Sequence, residues 1–180
     1  MDGYRLRHQV RAWAATRGPH PALVRAGRSL TYAELDARAD RFAAGMCAVG
    51  LEPGDRVALL LANASETFEA LLGCARAGLV AVPLNWRLAP GELAEVARDA
   101  RARATVVEER TAHLAPSLSV PGTSRLDLTL GAGYEHWLAS ATGRLPELAD
   151  DPDRVVLQVY TSGTSGWPKG VLLTDGNLAT

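Results

Sequence analysis

Residues 56–84 read RVALLLANASETFEALLGCARAGLVAVPL, and this stretch decides the fold class. The apolar run RVALLLA at its start and the run LVAVPL at its end predict two strands that are buried on both faces. The segment SETFEALLGCARA between them has helical apolar spacing, with Ser65 as a candidate cap and Gly78 as the stop. Because two buried strands joined by a helix are typical of a parallel sheet, this segment predicts an α/β fold with a largely parallel sheet flanked by helices.

The same alternation extends toward the N-terminus. Residues 4–17 have the apolar spacing of an amphipathic helix, and residues 22–32 predict two short strands about a glycine-containing turn. Thr31 and Glu34 are spaced as a capping box, which predicts that a helix begins there and continues over residues 32–49.

Toward the C-terminus, a proline in its first turn opens a predicted helix at residues 90–100. Short strands are predicted at residues 104–108, 154–160 and 170–174, and a short helix is predicted at residues 134–141. Two connections separate these elements. Residues 108–125 are poorly patterned, and residues 141–153 form an acidic, proline-bearing linker in front of the strand at 154–160.

Composition limits the classes of function. The chain has 180 residues, of which 47% are hydrophobic and 22% charged, as in a globular domain with a core. Its formal net charge of −1 argues against a nucleic-acid-binding protein. We find no metal-ligand spacing among its histidines and cysteines, no signal peptide and no transmembrane segment. Cys47 and Cys74 lie in helical patterns without a CxxC pair, which predicts reduced thiols and a cytoplasmic location.

Residues 159–171 read VYTSGTSGWPKGV and carry the strongest chemical signal. Their glycines allow a ligand to approach the backbone, their hydroxyls can turn toward phosphate oxygens, and Lys169, the only lysine of the chain, adds a point charge. This composition suits a polyphosphate, and a plain solvent-exposed turn stays open as the alternative. The spacing fits neither GxxxxGK[ST] nor GxGxxG, so a Walker loop and a Rossmann dinucleotide motif are not predicted.

The stretch YTSGTSGWPKGV also resembles the phosphate-binding signature of the adenylate-forming superfamily, which comprises acyl-CoA synthetases, adenylation domains of peptide synthetases and luciferases. Residues 29–93 are similar in order and spacing to the N-terminal part of these ligases, and AVPLNWRLAPGEL looks most like an acyl-CoA synthetase. The next residues, LLTDGNL, resemble the usual LTHxNL, but Asp175 stands where many members have histidine. The resemblance covers residues 1–180 and identifies them as the N-terminal portion of the AMP-binding large domain, ending just after the phosphate-binding loop.

The resemblance implies an ATP-dependent, AMP-forming acid–thiol ligase that joins a carboxylic acid to coenzyme A through an acyl adenylate, with Mg-ATP as substrate. It also implies which residues hold the ATP phosphates: Thr161, Ser162, Gly163, Thr164, Ser165, Gly166 and Lys169. In the family, the adenine, ribose, magnesium and most acyl contacts follow this signature. We therefore expect no complete catalytic set in these 180 residues and no activity of the chain by itself.

Two other functions remain open. One is an adenylation domain of a peptide-synthetase-like enzyme, and the other is a non-catalytic relic or interaction module. We also expect the strands at residues 154–160 and 170–174 to expose a sheet edge and apolar surface, which favours self-association.

Overall fold

The computed structural model describes residues 5–25, 27–120, 126–161 and 168–178. In chain order the elements are α1 (Leu6–Arg17), β1 (Pro21–Arg25), β2 (Arg28–Thr31), α2 (Tyr32–Ala48), β3 (Arg56–Leu60), α3 (Glu66–Ala77), β4 (Val80–Pro83), α4 (Pro90–Ala100), β5 (Ala102–Val107), a 3-10 helix (Glu109–Leu118), β6 (Leu126–Thr129), α5 (Ala132–Ser140), β7 (Val155–Thr161) and β8 (Lys169–Thr174).

Six of these strands form one sheet in the order β6-β5-β3-β4-β7-β8. Every neighbouring pair is parallel except β7 and β8, which form an antiparallel pair at one edge. Strands β1 and β2 form a separate antiparallel hairpin. The predicted α/β fold with a largely parallel sheet is therefore confirmed.

Helices cover both faces of the sheet, which is why its strands are apolar without alternation. Val57 and Leu59 of β3 point to one side, where they pack with α2, α3 and α5. Ala58 and Leu60 point to the other side, where they pack with α4 and the 3-10 helix. The crossover helices α3 and α4 thus lie on opposite faces of the sheet, as in a doubly wound fold.

The ends of the helices test the predicted caps. Thr31 Oγ1 accepts a hydrogen bond from the Glu34 amide at 3.2 Å, and Glu34 Oε2 accepts one from the Thr31 amide at 2.8 Å, so the capping box is confirmed. Gly78 ends α3 with a φ of 72°. The prediction for Ser65 was wrong, since its hydroxyl contacts Glu66 Oε2 at 3.0 Å and caps no backbone amide.

Residues 108–120, the described part of the poorly patterned segment 108–125, contain more structure than their pattern predicted. The 3-10 helix is anchored by Thr111, whose buried hydroxyl donates to the Leu60 carbonyl at 2.9 Å. Strand β6 was not predicted, because it is a four-residue edge strand in which only Leu128 is buried. Such a strand is formed by its parallel register with β5, from Ala104↔Leu126 to Val107↔Thr129, and leaves little periodicity in the sequence.

Residues 141–153 form no helix or strand and pass close under α2. A Cβ at Gly143 would lie 2.0 Å from the Ala44 carbonyl oxygen, so this approach requires glycine. Further along, the Asp150 carboxylate pairs with Arg5 at 2.7 Å and Arg7 at 3.5 Å. The connection that precedes β7 is thereby fastened to the start of α1. Across the described ranges, the helices are too short or too polar to cross a membrane.

Candidate functional site: the hairpin of β7 and β8

The hairpin of β7 and β8 brings the two ends of the candidate phosphate loop together. Thr161 is the last residue of β7 and lies directly opposite Lys169, the first residue of β8. Both are exposed. The other predicted site residues, Ser162, Gly163, Thr164, Ser165 and Gly166, fall outside the described residues.

The loop follows the carboxyl end of a parallel strand. Strand β7 runs parallel to β4, with Ala81 opposite Leu157, so Thr161 lies at the same edge of the sheet as the residues after β4. Ligands of open α/β sheets bind outside this edge. There the ring of Trp86 lies 4.3 Å from the guanidinium carbon of Arg87 and 4.9 Å from that of Arg110.

The base of the loop is tied to α4 by side chains. Gln158 Nε2 donates to the Tyr160 hydroxyl at 2.7 Å, and that hydroxyl donates to Asp99 Oδ2 in the last turn of α4. Gln158 and Tyr160 lie two apart on β7 and therefore share the face of the sheet on which α4 packs. Burial and then the hydrogen bond to Asp99 raise the pKa of the Tyr160 phenol, so it remains a proton donor at neutral pH.

Gly170 makes room for these contacts. It lies opposite Tyr160 in the antiparallel register. A Cβ at Gly170 would lie 2.7 Å from Gln158 Nε2 and 3.1 Å from Tyr160 Cζ. The glycine next to Lys169 therefore serves close packing across the hairpin.

The other end of the hairpin is anchored by Asp175. Its carboxylate is buried, with 2% of the residue exposed, and Oδ1 accepts a hydrogen bond from the Leu6 amide at 3.0 Å. Leu6 is the first residue of α1, whose N-cap residue Arg5 makes no side-chain capping bond. Asp175 thus caps α1 from a distant part of the chain, and its negative charge lies where the helix dipole is positive.

Backbone contacts fasten the same end. The Asp175 amide donates to the Arg154 carbonyl at 2.9 Å, and the Gly176 amide donates to the Pro152 carbonyl at 2.8 Å. Thr174 Oγ1 accepts from the Asn177 amide at 3.2 Å. The end of β8 is therefore held to residues 152–154, which directly precede β7.

A family model described as AMP-binding enzyme matches residues 10–180. This chain belongs to the AMP-binding enzyme family.

Two members of the AMP-binding enzyme family are similar in sequence to this chain. A fatty acid–[acyl-carrier-protein] ligase from Streptomyces coeruleorubidus is 38% identical over 154 residues, which are 85% of this chain and 30% of that protein. A feruloyl-CoA synthase from Amycolatopsis sp. is 42% identical over 165 residues, which are 91% of this chain and 32% of that protein.

Among solved structures, a Mycobacterium tuberculosis fatty acyl CoA synthetase superposes with a TM-score of 0.83 at 29% identity. The match covers 96% of this chain and 35% of that protein. The chain thus spans about a third of the length of its AMP-binding relatives.

The sequence pattern predicted no structural role for Gln158 or Asp99 at this hairpin, and it singled out Asp175 only as a departure from the usual LTHxNL. The spacing of Gln158 and Tyr160 in a predicted strand was a usable signal, because residues two apart share a face. The contacts of Asp99 with Tyr160 and of Asp175 with Leu6 gave no such signal, since the partners are 61 and 169 residues apart in the chain.

Proposed function

We propose that this chain contributes the phosphate-binding part of an ATP-dependent, AMP-forming acid–thiol ligase. Thr161, Lys169 and the five other residues of the signature would hold the β- and γ-phosphates of ATP. The position of the hairpin supports this assignment, because Thr161 and Lys169 face each other at the carboxyl edge of a parallel sheet. The Lys169 side chain is exposed and therefore accessible to a ligand there.

The proposed reaction has two steps. A carboxylate oxygen of the acid attacks the α-phosphorus of ATP, the bond to the bridging oxygen breaks, and pyrophosphate leaves with that electron pair. A thiol then attacks the acyl carbon of the adenylate, AMP leaves, and the thiol proton passes to solvent. In the first step negative charge grows on pyrophosphate, which hydroxyls, amides and the Lys169 ammonium would stabilise.

Magnesium would accompany ATP as its phosphate complex. Among the described residues, no three His, Cys, Asp or Glu side chains lie close enough to hold a metal ion. These residues therefore do not fit a magnesium site of their own, and we assign no step to the metal. Phosphate oxygens and water suffice for much of the coordination of Mg²⁺ in such complexes.

The acid and the thiol are proposed from the relatives. One relative joins a fatty acid to an acyl carrier protein, and another is a feruloyl-CoA synthase, so both carry an acyl group to a thiol. We propose coenzyme A as the acceptor and an organic carboxylic acid as the substrate. We also propose a cytoplasmic setting, since Cys47 and Cys74 are free thiols.

The test is a titration of the chain with magnesium pyrophosphate, followed by calorimetry or by amide chemical shifts. We expect weak binding that Lys169→Ala reduces about tenfold or more, because a charge-assisted contact to phosphate is lost. Arg144→Ala is the matched control, since Arg144 is 88% exposed and pairs only loosely with Glu147 at 3.4 Å. Equal binding by wild type and Lys169→Ala would refute the assignment.

The same preparation tests activity. We expect that the 180 residues alone do not exchange pyrophosphate into ATP in a carboxylate-dependent way. The reason is that the chain spans only about a third of the length of its relatives. Carboxylate-dependent exchange would show that the catalytic set is already complete here.

We further propose that the edge strand β8 promotes self-association of this chain. Val171 and Leu172 are 45% and 56% exposed on β8, which is an edge strand of the sheet formed by the described residues. Sedimentation should show oligomers that Leu172→Lys reduces, because a charge on an edge strand opposes pairing. A concentration-independent monomer would refute this part.

A further inference from the structure

We propose that the hydrogen bond between Tyr160 and Asp99 positions Thr161 and Lys169, the described residues at the base of the candidate phosphate loop, for phosphate binding. Tyr160 and Asp99 would then be positioning residues that act through Thr161 and Lys169. The inference rests on the proposed function, because it concerns how that loop meets a phosphate ligand.

The contact lies next to the predicted ligand-binding residues. Tyr160 directly precedes Thr161 on β7, and its hydroxyl reaches Asp99 in the last turn of α4. Helix α4 is a firm support, because Leu93 and Val96 are buried against the sheet. The Tyr160 side chain therefore links the loop to a packed part of the domain.

Near the loop, side chains attach the hairpin to the rest of the domain, because backbone pairing with β4 is registered only further back along β7. Strand β7 is registered with its parallel neighbour β4 at Ala81↔Leu157, three residues before Tyr160. From there toward the loop, the backbone register of the described residues pairs β7 with β8, up to Thr161↔Lys169. Because β8 is itself the edge strand, this end of the hairpin needs a lateral tie to the domain, and Tyr160 supplies one.

The surroundings of Tyr160 favour one position of its ring. Gln158 is 8% exposed and donates to the Tyr160 hydroxyl at 2.7 Å, which leaves the hydroxyl proton for Asp99. Gly170 opposite carries no side chain, and a Cβ there would lie 3.1 Å from Tyr160 Cζ. The amide, the phenol and the glycine thus orient the ring toward α4.

The contact is also open to water. A groove of about 480 Å³ between α4 and the hairpin is lined by Tyr160, Asp99, Arg98 and Pro168, and Asp99 is exposed. Water can replace a lost hydrogen bond at such a place, so the contact contributes little to global stability. Its effect is expected at the neighbouring loop instead.

The experiment compares Tyr160→Phe, Asp99→Ala and the double variant with wild type. Amide hydrogen exchange is measured at Thr161 and Lys169, and affinity is measured with magnesium pyrophosphate. We expect each single variant to speed exchange and weaken binding by about three- to tenfold. The double variant should be no worse than the singles, because both remove one interaction. Asp99→Asn, which keeps an acceptor oxygen, should recover part of the effect.

Tyr134→Phe is the matched control. Tyr134 also donates to a carboxylate, that of Glu69, but on the other side of the sheet. This variant should lower the free energy of unfolding while leaving exchange at Thr161 and Lys169 and the affinity unchanged.

Three results would overturn the proposal. The first is amide exchange at Thr161 and Lys169 in Tyr160→Phe that is as slow as in wild type. The second is a double variant whose loss of affinity is the product of the losses in the two single variants. The third is faster exchange at Thr161 and Lys169 in Tyr134→Phe. A wild-type chain that binds no pyrophosphate would refute the proposed function instead, and the exchange data would still decide whether Tyr160 and Asp99 hold the loop base.

Discussion

The molecule uses the same hydrogen bond, from a tyrosine hydroxyl to a carboxylate, in two very different regions. Between α2, α3 and α5, Tyr134 donates to Glu69, and Arg38 pairs with both Glu69 and Glu135; these four residues are the core network. At the hairpin, Tyr160 donates to Asp99. Glu69 is fully buried, whereas Asp99 is exposed.

Burial changes what each bond does. Burial raises the pKa of Glu69, and the hydrogen bonds from Arg38 and Tyr134 oppose that rise. Loss of a partner there leaves a charge or an acceptor without water, which is costly. At Asp99 water can replace the partner. The core network therefore contributes to the stability of the fold. The contact between Tyr160 and Asp99 contributes little to stability and instead positions the neighbouring residues of the hairpin.

The largest expected effect is that of Arg38→Ala in the core network. It leaves Glu69 as a buried carboxylate without its cation, and we expect a loss of about 3 kcal/mol in the free energy of unfolding near neutral pH. Urea denaturation would measure this loss. Arg144→Ala, at an exposed cation, should change stability by less than about 0.5 kcal/mol.

The effect of Arg38→Ala should depend on pH. Without Arg38 the folded-state pKa of Glu69 rises further above its ordinary value of 4.5, so the folded state holds that proton more tightly than the unfolded chain. Stability then falls as the pH rises through this window. Arg38 also lowers the pKa of Glu135, and that stabilisation is present only at higher pH. The loss should therefore be larger at pH 7 than at pH 4; equal losses would contradict it.

The two tyrosines compare the regions directly. Tyr134→Phe should lower the free energy of unfolding by about 2 kcal/mol, because a buried carboxylate loses a donor. Tyr160→Phe should lower it by less than about 1 kcal/mol, because its partner is exposed. Urea denaturation of both variants under the same conditions measures the two losses in free energy of unfolding. Equal losses would show that burial does not distinguish the two tyrosine–carboxylate bonds.

Asp175→Ala tests the far end of the hairpin. Removing the cap of α1 should lower the free energy of unfolding by about 1 to 2 kcal/mol. It should also speed proteolysis within residues 5–17, since α1 loses its tie to β8. Asp175→Asn keeps an acceptor for the Leu6 amide and should lose less; an unchanged Asp175→Ala would show that the backbone contacts suffice.

Gly170→Ala tests the end of the hairpin next to the candidate loop, and we expect a smaller loss of stability than for Arg38→Ala or Tyr134→Phe. The new Cβ must displace the Gln158 amide or the Tyr160 ring, at a cost of about 1 kcal/mol. Gln158→Ala should relieve the clash, so the double variant should be more stable than the sum of the two losses predicts. Simple additivity would show that the hairpin relaxes without disturbing Gln158.

The sequence predicted most of the regular structure around its most apolar stretches. Strands β3 and β4 and helix α3 follow from continuous apolar runs and helical spacing, and the capping box of Thr31 and Glu34 follows from residues three apart. Strand β6 escaped prediction because pairing with β5, and not its own pattern, makes it a strand. The candidate loop could be recognised from the sequence because its residues form one contiguous motif. The same motif indicated the family to which the chain belongs.

Local order in the sequence thus determined what neighbouring residues can decide: the α/β class, the helix caps at Thr31 and Gly78, and the family signature at residues 160–171 with its single lysine. Only the tertiary structure decided the contacts between distant residues. It buried Asp175 against the start of α1, placed Asp99 beside Tyr160, and joined Arg38 to Glu69 and Glu135. The physical reason is that hydrogen bonds and ion pairs require proximity in space, which periodicity along a single chain does not encode.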